Sequence, residues 1–177
     1  MKKGFDYAIK NNFFDKQDFL ALKNQLTTLE YVPPKQTDVE RMLNHVYWHQ
    51  REVQNNSEVA DLIAKKIKQY FNFVVEEYTH IYFTMCGNQP TLHPHVDLTD
   101  TVKYQCLIYI AGPTDLYSGT GIFKKENTVL ENMEQGPVDV IGFKENKAIF
   151  WDSNVIHCPA QTENTGTWRY SIATMFR

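Results

Sequence analysis

The sequence predicts a mainly β fold, a sandwich or barrel of short strands buttressed by N-terminal α-helices. Three observations carry this. From about residue 73 the chain runs through β-branched and aromatic segments, FVVEEYTHIYFTM, VKYQCLIYI, GIF, VDVIGF, KAIFW and WRYSIATMF, separated by Gly, Pro, Asn and Asp. No helical pattern intervenes between them, which argues against a parallel α/β sheet. Before residue 73 the apolar residues recur at helical spacing instead.

The first helix is expected in KQDFLALKNQLTTL, where Phe19, Leu22 and Leu26 share a face. Asp15 is placed to cap it and Asp18 to meet its positive end, and Pro33-Pro34 ends the unit. A second helix is expected over 57–71 on the stripe Val59, Leu62, Ile63, Ile67 and Tyr70, with Asn55 and Glu58 as its capping box. No repeat, low-complexity stretch or linker interrupts the chain. The expected organisation is therefore one domain over 1–177, with helical support to about 72 and the barrel from about 73 to 177.

The 177 residues have room for one core. A domain of that size buries about 65–70% of its unfolded surface and can fold without a disulfide or a metal. A metal site here is thus expected to do chemistry. Lys and Arg number 18 against 21 Asp and Glu, for a net charge of −3. Lysines come at most in pairs (Lys2-Lys3, Lys65-Lys66, Lys124-Lys125), which disfavours a nucleic-acid-binding module needing a concentrated basic face. No apolar run suits a membrane span, and the start, MKKGFDYAIKNNFF, lacks the continuous apolar stretch of a secretory leader. Cys86, Cys106 and Cys158 show no CxxC spacing and fit reduced thiols of a cytoplasmic protein. Cys106 and Cys158 are expected to be small buried fillers.

Chemistry gathers in the β half. In TLHPHVD, His95 and Asp97 are two apart, so on extended chain they point to one face and can reach one ion. His157 closes the segment KAIFWDSNVIH. Two histidines and one carboxylate make a facial triad that leaves three sites of an octahedral ion open, as non-haem Fe(II) oxygenases require. With six His and ten Asp in the chain, about 0.3 H-x-D matches arise by chance, so the pair alone is a weak signal. The strand WRYSI adds to it: Arg169 and Ser171 share one face, Trp168, Tyr170 and Ile172 the other. An arginine pointing into a barrel needs an anion, and a guanidinium beside a hydroxyl suits a ligand carboxylate.

On these residues the chain resembles the Fe(II)/2-oxoglutarate-dependent oxygenases, particularly their prolyl-4-hydroxylase-like branch. The resemblance covers roughly 80–177, through HVD (95–97), CLIYI (106–110), SGTGIF (118–123), AIFWDSNVIH (148–157) and WRYSIATMF (168–176). It implies a double-stranded β-helix, or jelly-roll barrel. It implies His95, Asp97 and His157 as iron ligands, Arg169 on the distal carboxylate of 2-oxoglutarate, Ser171 completing an RxS pair, and Tyr109 assisting the arginine. Leu107 shares the parity of Tyr109 and would line the same pocket. The implied reaction is a hydroxylation that consumes O2 and 2-oxoglutarate and releases succinate and CO2. Two departures stand out: Arg169 follows His157 at an interval of twelve positions, longer than is common, and Gly119-Thr120-Gly121 is one glycine poorer than the usual turn. Both bear on the substrate pocket more than on the cofactor site.

Some features stay open. His93 has the parity of His95 but lies before Pro94, and is either a substrate or supporting contact or a half-exposed strand start. The segment His45–Arg51 is either a substrate edge or packing against the barrel. Peptidyl proline is the leading substrate class, with a small molecule the alternative; oligomeric state is not readable. Two rival readings remain: a cupin-type metal protein or isomerase using His93, His95, Asp100 and His157, and a non-catalytic β-sandwich interaction domain in which the three ligands never meet.

Overall fold

The computed structural model describes residues 7–32, 48–87, 94–97, 100–160 and 168–177. Among the described residues, nine strands build two antiparallel sheets. The large sheet runs β1 (Tyr7–Asn11), β7 (Lys147–Asp152), β4 (Tyr104–Ala111), β9 (Arg169–Phe176), β3 (Tyr78–Cys86) and β2 (Trp48–Glu52). The small sheet runs β6 (Asp139–Phe143), β5 (Asp115–Ile122) and β8 (His157–Ala160). An isolated bridge between His95 and His157 extends the small sheet by one more chain.

The large sheet is covered on both faces, which explains why its central strand β4 reads as a nearly unbroken apolar run. Cys106, Ile108 and Ile110 point outward to the helices α1 (Lys16–Thr28) and α2 (Glu58–Phe71), meeting Leu26, Ile63 and Ile67 in one cluster. Each fully buried apolar side chain of that kind stabilises the fold by about 1.5–3 kcal/mol. Tyr109 turns inward and joins Ile122, Ile141, Phe143, Ile149 and Trp151 in the second cluster, between the sheets. The helices therefore brace the barrel from outside and leave its interior for the site.

Asp15 caps α1 as expected, its carboxylate accepting from the Asp18 amide at 3.1 Å. The α2 cap differs. Ser57 takes the position, accepting from the Ala60 amide, while Asn55 donates to the Tyr78 carbonyl at 2.7 Å. A cap must stand directly before the first turn, and Asn55 lies too far upstream to do so.

Two further corrections concern the division of the chain. The first 72 residues are more than helical support, because they contribute β1 and β2, the two edges of the large sheet. Trp48–Glu52, within the segment read as substrate edge or packing, is β2, paired with β3 from Trp48↔Cys86 to Glu52↔Tyr82. The β half also holds a helix, α3 (Val129–Gln135), closed by a reciprocal capping box between Thr128 and Glu131. Its Val129 and Leu130 are exposed and its buried residue is Asn132, so no apolar helical stripe announces it. Pro33-Pro34, His45–Tyr47, His93 and residues 161–167 lie outside the described residues.

Where β5 and β6 press together the backbone has no room for a side chain. A Cβ on Gly119 would stand 2.1 Å from the Ile141 carbonyl oxygen. The register shift between Asp115 and Gly119 falls at this contact. Among the described residues, no helix is long and apolar enough to cross a membrane.

Candidate functional site

The pairing of β8 with β5 sets His157 opposite Ile122, at one end of the small sheet. His95 joins it through two backbone hydrogen bonds, His95 N–H to the His157 carbonyl at 3.0 Å and His157 N–H to the His95 carbonyl at 2.9 Å. The two imidazoles are thereby set side by side, ring centroids 4.7 Å apart. Asp97, two residues along the same extended chain, returns to their face. One donor atom from each of His95, Asp97 and His157 lies within 4.8 Å of the others. Asp97 Oδ2 is 3.3 Å from His157 Nε2, and Asp97 Oδ1 is 3.9 Å from His95 Nε2.

Each ligand is oriented by a neighbour. His157 donates from Nδ1 to the Val155 carbonyl at 2.9 Å, which turns Nε2 toward Asp97 and the place an ion would take. Trp151 packs on the same imidazole with ring centroids 5.1 Å apart. Gln105 Nε2 donates to Asp97 Oδ2 at 2.8 Å. Burial on its own would push the Asp97 carboxyl up. The hydrogen bond and charge of His157, then His95 and Gln105, outweigh that and hold it at about 2. An ionised carboxylate and imidazole nitrogens are the donor types a divalent ion needs, the ion displacing any proton the imidazoles carry at those nitrogens.

The three residues open onto a cavity of about 290 Å³ that also reaches Leu107, Tyr109, Arg169 and Ser171. At its far end Arg169 is 7% exposed, lies over the Phe143 ring at 5.3 Å and meets Asp115 Oδ2 at 3.4 Å. Gly112, at φ +148°, clears this corner, since a Cβ there would come within 3.1 Å of Arg169 Cγ. The Ser171 hydroxyl is 2.7 Å from that of Thr84. Tyr109 lies beside the arginine without bonding to it. Its hydroxyl donates to the Ile141 carbonyl at 3.1 Å and is 2.7 Å from the Thr120 hydroxyl. Burial pushes the Tyr109 phenol far up and the Cys86 thiol, in the same wall, up to about 12.

Among the described residues, the group able to hold a metal is His95, Asp97 and His157; Asp100 is exposed and outside it. The donor set therefore fits a divalent ion such as Fe(II), and the buried guanidinium, which meets Asp115 here, suits a ligand carboxylate. Among the described residues, the buried indole N–H of Trp151 finds no hydrogen-bond partner.

Sequence reasoning missed Gln105, Trp151, Thr84 and Asp115. Gln105 had a readable signal, since it shares the inward parity of Leu107 and Tyr109 in β4. Thr84 and Asp115 had none, being brought to Ser171 and Arg169 from 87 and 54 residues away.

The fold and its topology are the double-stranded β-helix of the 2-oxoglutarate/Fe(II) oxygenases, prolyl hydroxylases among them. A Pseudomonas putida prolyl-4-hydroxylase matches with a TM-score of 0.64 at 16% identity, over 98% of this chain and 94% of that one. A Trichoplax adhaerens prolyl hydroxylase in complex with a hypoxia inducible factor peptide fragment matches at 0.63 and 14%, over 97% and 83%. HygX from Streptomyces hygroscopicus, with nickel and 2-oxoglutarate bound, matches at 0.66 and 11%, over 97% and 82%. No protein-family model and no curated protein matches the chain. Identities this low define the fold, and the chemistry rests on the residues above.

Proposed function

We propose that this chain is an Fe(II)- and 2-oxoglutarate-dependent dioxygenase that hydroxylates a C–H bond of its substrate. One observation carries the reading: a His-Asp-His cluster and a buried arginine with a neighbouring hydroxyl line the same cavity. His95, Asp97 and His157 hold the iron. Arg169 grips the distal carboxylate of 2-oxoglutarate, and Ser171, held by Thr84, offers a second hydrogen bond there. Tyr109, fixed by Thr120 and Ile141, and Leu107 wall the cavity, keep bulk water out and set the orientation of the cosubstrate. When iron, 2-oxoglutarate and O2 are bound, they supply oxidative decarboxylation to succinate and CO2 coupled to oxygen insertion into the substrate. Lewis-acid or isomerase chemistry of a cupin type has less support, because Asp100 stands apart from the cluster.

Peptidyl proline is the first substrate class to test, since the fold is shared with prolyl hydroxylases, one of them holding a peptide. We further propose that residues 1–177 form one catalytic domain working in the cytoplasm, in keeping with three buried cysteines. The test is succinate release by iron-loaded protein, screened against proline-containing peptides, free amino acids and nucleobases. The expected result is O2-dependent succinate that rises with a proline peptide. Succinate that rises only with another panel would remove the prolyl assignment and leave the reaction class standing.

A further inference from the structure

Gln105 has no part in the reaction proposed above, yet it is placed as if it had. It is 5% exposed, and its amide Nε2 donates to Asp97 Oδ2 at 2.8 Å. Its backbone lies in β4, paired with Trp151 of β7 on one side and Met175 of β9 on the other. A strand paired on both sides holds its side chains in narrow rotamer ranges, so the amide is aimed before any ligand arrives. Trp151, its direct register partner, is the residue whose ring packs on His157. One row of the large sheet thus supports two of the three candidate ligands, Asp97 by a hydrogen bond and His157 by ring contact.

Both oxygens of Asp97 face the imidazoles. Oδ2 receives the Gln105 amide and lies 3.3 Å from His157 Nε2, and Oδ1 is turned toward His95 Nε2, 3.9 Å away. A carboxylate held by an outer hydrogen bond keeps its orientation toward the ion. Resting on the oxygenase reading, we propose that Gln105 is a positioning residue. Its amide fixes the plane of the Asp97 carboxylate, so that its oxygens stay aimed at the place between His95 and His157 where the ion would sit. Without the amide, the carboxylate is free to turn away from the two imidazoles.

The variants are Gln105→Met, which keeps the unbranched shape and removes the donor, and Gln105→Glu, which keeps the length and sets a second carboxylate beside Asp97. Fe(II) affinity by competition with a chromophoric chelator, the visible spectrum of the Co(II)-substituted protein and thermal unfolding are read on each. Both variants are expected to lose about 10- to 100-fold in Fe(II) affinity, the range for outer partners of metal ligands. Gln105→Met should also show an altered Co(II) spectrum, because the Asp97 ligand is no longer held in one orientation. Folded variants that bind Fe(II) within about threefold of the parent, well under that range, with an unchanged Co(II) spectrum, would overturn the proposal. If neither variant folds, Gln105 is a structural residue and the proposal fails. Parent protein that binds no Fe(II) would instead sink the oxygenase reading itself, a separate result.

Discussion

Asp97→Ala is expected to abolish Fe(II) binding at concentrations that saturate the parent protein, and turnover with it. Asp97 is the one anion of the cluster, and burial has not neutralised it, because the two imidazoles and Gln105 hold it ionised. Losing an outer partner of a metal ligand typically lowers affinity by about 10- to 100-fold, so losing the carboxylate itself should exceed about 100-fold. Stability should fall by about 1–3 kcal/mol, since the Asp97 side chain is 25% exposed but its loss leaves the buried Gln105 amide without its acceptor. His93→Ala is the paired control. It is expected to leave iron binding intact, whereas loss of iron in His93→Ala and retention in Asp97→Ala would favour a cupin-like ligand set. Both are checked by metal titration and by thermal unfolding of the apo-protein.

Arg169→Ala separates the cosubstrate end of the cavity from the metal end. Hydrogen bonds to a charged partner contribute about 1.5–3 kcal/mol each, and a guanidinium makes two at once with a carboxylate. The 2-oxoglutarate Kd should rise about 100-fold or more, with Fe(II) affinity kept within about threefold. The variant is expected to fold. Asp115, the partner left behind, is 25% exposed and can reach water, so no unpaired charge is trapped. Equal losses of metal and cosubstrate binding would make the arginine a structural residue.

The parts of this site that were legible in the sequence are those set by local periodicity. Strand parity put His95 beside Asp97 and Arg169 beside Ser171, and the helical stripes of α1 and α2 are the faces that pack on the large sheet. What joins distant segments was not legible. The hydrogen-bonded bridge from His95 to His157, the contact of Asp115 with Arg169 and the Thr84–Ser171 pair depend on strand order and register, which no local window carries. The edge strands β1 and β2 escaped for a different reason. Each is five residues long, and Lys10, Asn11, His49, Gln50, Arg51 and Glu52 give them the polar character that suits an edge and hides a strand. Gln105 stands between these cases, its parity readable and its partner not.

The central claim is that one cavity holds iron and 2-oxoglutarate together, and the direct measurement is anaerobic visible spectroscopy. Parent protein loaded with Fe(II) and then titrated with 2-oxoglutarate is predicted to develop the visible metal-to-ligand charge-transfer band of the chelate. The band should saturate at one equivalent, be absent in Asp97→Ala and need far more 2-oxoglutarate in Arg169→Ala. Folded, iron-loaded protein that shows no band at saturating 2-oxoglutarate would contradict the account.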